Sequence, residues 1–143
     1  MNSDTNKKLY LYQVTVILSL FFALVGFSYN VWRMEASEQN SNIRTACFEM
    51  LLELSSLEQL VYAAHYDKDA VQGSPRKGWV KVGLIEDLSV LTTGTIEVQA
   101  EALTKVWGAH WEMMQGSRTS TDKIVVAIES VRGEIKQVMR SLD

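Results

Sequence analysis

Residues 88–97 read LSVLTTGTIE, and the four at the centre, Thr92-Thr93-Gly94-Thr95, decide the fold. Three β-branched residues around a glycine make a poor helix interior. Threonine loses rotamer freedom against the preceding turn, and glycine carries the largest backbone entropy cost. If the helix breaks there, the chain beyond residue 42 divides into segments of about 24, 17, 21 and 23 residues. Those lengths suit an up-down-up-down four-helix bundle with short loops. If the helix runs on, one rod of about 40 residues pairs with partners of about 24 and 23, a three-helix alternative. The break is the expectation, and with it an all-α fold built as an antiparallel helical bundle of four helices.

On the N-terminal side of the break, a helix is expected from Pro75 to about Leu91, with Trp79, Val82, Ile85 and Leu88 on one face. Ser74 followed by Pro75 pairs a capping oxygen with a residue suited to the first turn. Val80, Val82 and Leu84 also alternate, so a short strand over Trp79–Ile85 is the competing reading. Asp67-Lys68-Asp69 and Gln72-Gly73-Ser74-Pro75 mark the preceding loop. Before it, Ile43, Cys47, Met50, Leu54, Leu57, Val61 and Ala64 recur at steps of four and three, an apolar seam held over three heptads. On the C-terminal side, Ile96, Gln99, Leu103, Val106, His110 and Met113 form the next pattern, closed by Gly116-Ser117. Thr119-Ser120-Thr121-Asp122 offers caps for a last helix with the cleanest seam, Ile124, Ile128, Val131, Ile135, Val138 and Leu142. That seam is regular enough for an intermolecular coiled coil, yet the intramolecular core needs the same face.

Further out, Leu9 to Trp32 reads LYLYQVTVILSLFFALVGFSYNVW, with no Asp, Glu, Lys or Arg. At 1.5 Å per residue it is about 36 Å long, enough to cross a hydrocarbon core of about 30 Å. Tyr10 and Tyr12 at one end and Tyr29 and Trp32 at the other stand where amphipathic rings prefer to sit, at the headgroups. A transmembrane helix over residues 9–32 is therefore expected, after a short tail (1–8) and before a polar stalk (33–42) and a bundle domain (43–143). The rival is a cleaved signal peptide, with Lys7 and Lys8 as its basic start and a cut after Ser28 in Gly26-Phe27-Ser28. Apolar character continues through Tyr29, Val31 and Trp32, which favours an uncleaved signal-anchor. Lys7 and Lys8 balance Arg33 and Arg44 across the span. A short basic N-terminus usually stays cytoplasmic, so the expectation is a bacterial inner-membrane, single-pass protein with a periplasmic C-terminal domain.

Net charge is −3, and setting aside Asp4, Lys7 and Lys8 makes the remainder one unit more acidic. With no basic stripe to neutralise phosphates, no nucleic-acid partner is expected. The single cysteine, Cys47, excludes an intrachain disulfide and a Cys-based zinc site. It is expected as a small buried apolar side chain, the alternative being a bridge between two chains. No catalytic motif is present, so no enzyme, no cofactor and no metal site are expected. His65, Asp67 and Asp69 are poorly spaced for metal ligation, and His110 falls on an apolar face.

The four-helix arrangement makes one pointed prediction about binding. It gathers His65, Tyr66, Arg76, Lys77, Trp79, Trp107, His110, Trp111 and Arg118 at the membrane-distal pole, about 50 Å from the bilayer if stalk and first helix form one rod. Aromatics with interspersed arginine are the composition of binding hot spots; the plainer reading is that the tryptophans plug the bundle end. The three-helix alternative instead returns Trp107 and Trp111 to the bilayer surface. In outline the chain resembles the four-helix sensory domains of bacterial chemoreceptors and sensor kinases, which return through a second span to a signalling module not seen here. The functional expectation is a membrane-anchored, non-enzymatic interaction subunit of the cell envelope, docking a protein partner or a second copy. The alternative is an extracytoplasmic ligand-binding sensory or adaptor module with a pocket lined by Trp79, His110 and Trp111.

Overall fold

The computed structural model describes residues 2–142. Met1 and Asp143, the outer limits of the expected tail and bundle, lie outside the described residues. Among the described residues the fold is all-α, with four α-helices and no strand. They are α1 (Asn2–Tyr62), α2 (Pro75–Ser89), α3 (Gly94–His110) and α4 (Arg118–Ser141). The chain divides into two compact units at Gln39 and Asn40.

The N-terminal unit is the first part of α1. It is long and apolar enough to cross a membrane, and its apolar side chains are unburied. Tyr10, Tyr12, Tyr29 and Trp32 are all exposed, with the Tyr29 and Trp32 rings 6.2 Å apart.

The second unit holds the core. Every residue of the α1 seam from Ile43 to Ala64 is buried, as are Ile124, Ile128, Val131, Ile135 and Val138 on α4. Leu142 packs against that core at its edge. Cys47 is fully buried among these side chains, which leaves no route to a bridge between two chains; burial also pushes its thiol pKa up.

The break at Thr92 is real. Leu91 and Thr92 close α2 with short-range bonds to Leu88 and Ser89, and the Thr92 hydroxyl adds a bond to the Ser89 carbonyl. Thr93 is extended, and its carbonyl accepts the first amides of α3 from Ile96 and Glu97. The β-branched run thus serves as a stop and a start. The three-helix and strand readings are both corrected here: residues 79–85 are helical within α2.

Two seams differ from expectation. On α2 the buried positions are Gly78, Val82, Ile85 and Ser89, and Trp79 is 43% exposed. On α3 they are Ile96, Ala100, Leu103 and Trp107, while Met113 is exposed and Val106 and His110 are half-buried. Val82 and Ile85 on α2 and Ile96 and Leu103 on α3 are buried as expected; Trp79 and Leu88 give way to Gly78 and Ser89, and Gln99 and Val106 to Ala100 and Trp107, the largest fully buried side chain, which packs against Gly78. A Cβ on Gly78 would lie 2.2 Å from Trp107 Cζ2 and 2.3 Å from Cη2.

Polar contacts tie the helices at matched heights. Arg44 on α1 donates to the Leu142 carbonyl after α4 (2.9 Å), whereas Glu58, further along α1, meets Arg132, earlier on α4 (2.8 Å). Lys81 of α2 pairs with Glu53 of α1, and the Thr104 hydroxyl of α3 donates to Glu86 of α2.

Candidate functional site

The α-helix of α1 gives way at Ala63 to a π-helical turn over Ala63–Asp67. Such turns are rare and recur at functional sites. Lys68 ends it in the left-handed region (φ 55°), and its ammonium donates to the Gln115 carbonyl across the loop. Asp69 then folds the chain back, its Oδ1 accepting from the Val71 and Gln72 amides, which hold the carboxylate below its usual pKa range. The return brings Gly73 against Ala64 so closely that a Cβ there would lie 2.5 Å from the Ala64 backbone.

This turn also meets the α3–α4 connection at Met114. The Met114 carbonyl takes the His65 Nδ1 contact (2.8 Å) and accepts the Thr121 hydroxyl (2.8 Å). One carbonyl therefore joins the end of α1, the loop after α3 and the first turn of α4. Ser117 caps α4, its hydroxyl accepting from the Ser120 amide, so the cap lies just before the expected Thr119–Asp122 cluster.

Of the residues expected at the distal pole, some meet and some do not. Trp79 and Trp107 are edge to face, with ring centroids 6.4 Å apart at 88°, and His65 stacks edge-on with Tyr66 at 4.7 Å. Trp111 lines a cavity of about 120 Å³ with Ala64, Pro75 and Met114. Trp79 and His110 do not line that cavity, and its volume is well below the roughly 300–1,000 Å³ of typical small-molecule sites. Arg76 and Lys77 are exposed, and Arg118 pairs with Asp122 on its own helix. Trp107 Nε1 and His110 Nδ1 are buried without a protein partner. No group of three His, Cys, Asp or Glu side chains is poised for a metal among the described residues.

Sequence reasoning missed Gly78 and the Met114 carbonyl, and read Gly73 only as part of a loop. A glycine inside a helical pattern was the available signal for Gly78; a backbone carbonyl leaves none.

A larger concavity, about 520 Å³, runs between α3 and α4 and is lined by Ala102, Leu103, Val106, Val126 and Ala127, with Asp122 and Lys123 among its polar residues. It is an open groove with a mostly apolar surface.

Electrostatics concentrate at the α1–α4 contact. Burial alone raises the Glu58 pKa, but hydrogen bonds from Arg132 and Tyr62, with the Arg132 charge, outweigh it and leave it lowered. Arg132 also bonds Glu129, so one guanidinium serves two carboxylates. The Tyr62 pKa is raised, chiefly because its O–H donates to Glu58. A carboxylate whose folded pKa lies below its unfolded one stabilises the fold above the unfolded value and loses that contribution as pH falls through the folded value. Wild type is expected to melt above Glu58→Gln at neutral pH, with the gap narrowing as pH falls below the unfolded carboxylate value of about 4.3 and through the lower folded one. Thermal melts across that range check it, and a constant gap would refute the assignment.

Comparison with protein-family models, with curated proteins and with solved structures finds no match to this chain.

Proposed function

We propose that the chain is a membrane-anchored, non-enzymatic interaction subunit of the cell envelope, its second unit an antiparallel four-helix bundle that docks a protein partner or a second copy. The observation that carries this reading is the exposed, uncharged face of α1 from Leu9 to Trp32: no side chain of its own chain covers it, and lipid is the solvent such a surface matches. The reversed order of the Arg44–Leu142 and Glu58–Arg132 contacts supports antiparallel packing of α1 and α4. Placement in a bacterial inner membrane, N-terminus cytoplasmic and C-terminal unit periplasmic, rests on Lys7 and Lys8 ahead of the span.

The sensory-module alternative draws on the α3–α4 groove, whose volume lies within the small-molecule range. Docking fits that groove better, because it is open and its surface is mostly apolar. Reporter fusions at residue 143 test the orientation: a periplasm-specific reporter is expected to be active, and activity of a cytoplasm-specific reporter alone would reverse it. Crosslinking in native membranes and recovery of the intact chain test the interaction role, which a protein recovered alone and monomeric would overturn.

A further inference from the structure

We propose that the groove between α3 and α4 is a binding site for a single-chain carboxylate amphiphile, a fatty acid of medium chain length. This goes beyond the docking role, since an amphiphile seated there competes with a docked protein, and it does not rest on the membrane anchor. The groove measures about 520 Å³, within the roughly 300–1,000 Å³ of small-molecule sites. Leu103 is fully buried, Val106 and Ala127 are half-buried, and Ala102 and Val126 are exposed. The lining thus passes from core to solvent on side chains without a polar atom. Ala102 and Ala127, one on each helix, end at Cβ and leave the space open.

Length sets the chain. The lining residues fall within 99–106 on α3 and 119–130 on α4, about 10 Å and 16 Å of helix. A zigzag of roughly ten carbons, with bonds of about 1.5 Å, spans about 12 Å. Each acyl chain of a bilayer lipid covers half of a core of about 30 Å, so about 15 Å, and such chains come in pairs. Two of them exceed what the groove can cover, whereas one medium chain fits along it.

Charge selects the head group. Asp122 and Lys123 are the charged side chains of the lining, both at the end near the α3–α4 connection. Asp122 is engaged by Arg118 on its own helix (3.8 Å). Lys123 is exposed and makes no hydrogen bond or ion pair among the described residues. The Thr119 hydroxyl, one helical turn before it, lines the same end. At the other end the Ser130 hydroxyl is spent on the Val126 carbonyl, and no charged residue lines it. One uncommitted cation beside an apolar groove matches one negative charge on an apolar chain. A carboxylate carries that single charge, whereas Asp122 on the same rim repels a doubly charged phosphate head more strongly.

The test uses the full chain in nanodiscs of zwitterionic lipid and a decanoate probe carrying a photoreactive diazirine at its methyl end. Mass mapping is expected to find adducts on α3 and α4 within the lining, and unlabelled decanoate is expected to compete them away. Lys123→Glu, at an exposed position, is expected to cut this labelling about fivefold. Ala102→Phe, also exposed, fills the groove and is expected to abolish it, and neither change should move the melting temperature. The same chain ending in an ammonium is expected to label the wild type about fivefold less than the carboxylate does. Equal labelling by the two probes, or undiminished labelling of Ala102→Phe, would overturn the site. Adducts confined to residues 9–32 would show partition into lipid alone and overturn it as well. So would loss of labelling on adding an anionic phospholipid with no competition from unlabelled decanoate, which would make the occupant a bilayer lipid.

Discussion

Trp107→Ala is expected to lower the stability of the second unit by about 3–5 kcal/mol, the range for removing a fully buried tryptophan. That is a large share of the roughly 5–15 kcal/mol typical of a folded domain. The side chain is completely buried and lies edge to face with Trp79. Its loss opens a space beside Gly78 that the α2 backbone cannot fill without moving. Gly78→Ala probes the same contact from the other side. Its new Cβ would lie 2.2 Å from the ring, so overpacking of about 1–3 kcal/mol opposes a helix-propensity gain of up to about 1 kcal/mol. The two changes are expected to be non-additive: with the ring gone, the alanine methyl fits into the vacated space. Chemical denaturation of the two single variants and the double variant checks this. Additive losses would show that the ring does not rest against residue 78.

Leu20→Arg with Leu24→Arg is expected to release the chain from the membrane. Each arginine near the centre of a span costs about 2.5–3.5 kcal/mol and each leucine contributes about 0.3–0.6 kcal/mol, so the pair shifts insertion by roughly 6–8 kcal/mol. Both positions are exposed, at 61% and 58%, so no packing within the chain is lost. Carbonate extraction should therefore move the variant from pellet to supernatant while the melting temperature of the second unit stays at the wild-type value. A variant pelleting like wild type would sink the membrane reading, and a lowered melting temperature would show that Leu20 and Leu24 serve the fold.

The sequence was most legible where one face of a helix had a single job. The seams from Ile43 to Ala64 and from Ile124 to Val138 were readable residue by residue, because each stripe only has to be apolar at the helical period. The end of α2 was readable at Thr92-Thr93-Gly94, because β-branching and glycine act locally. On α2 and α3 the expected positions Val82, Ile85, Ile96 and Leu103 were right, and the positions beside them were misplaced by one residue. Nothing in the apolar pattern marked Gly78 as the place where the Trp107 ring packs. The candidate pole fared unevenly for a related reason. Composition brought aromatics and basic residues to one end, but distances decided that Trp79 and Trp107 pack together while Arg118 stays on its own helix.

By itself the sequence determined the helical class, the break before Gly94, the buried lines of α1 and α4 and the apolar stretch from Leu9 to Trp32. These are properties of period, propensity and transfer free energy, which act over one to a few turns. The tertiary structure alone decided that Gly78, Ser89, Ala100 and Trp107 complete the inward faces of α2 and α3 and that the Met114 carbonyl joins three segments. Those features depend on which surfaces remain once large side chains have found their gaps, and packing of that kind is settled between helices.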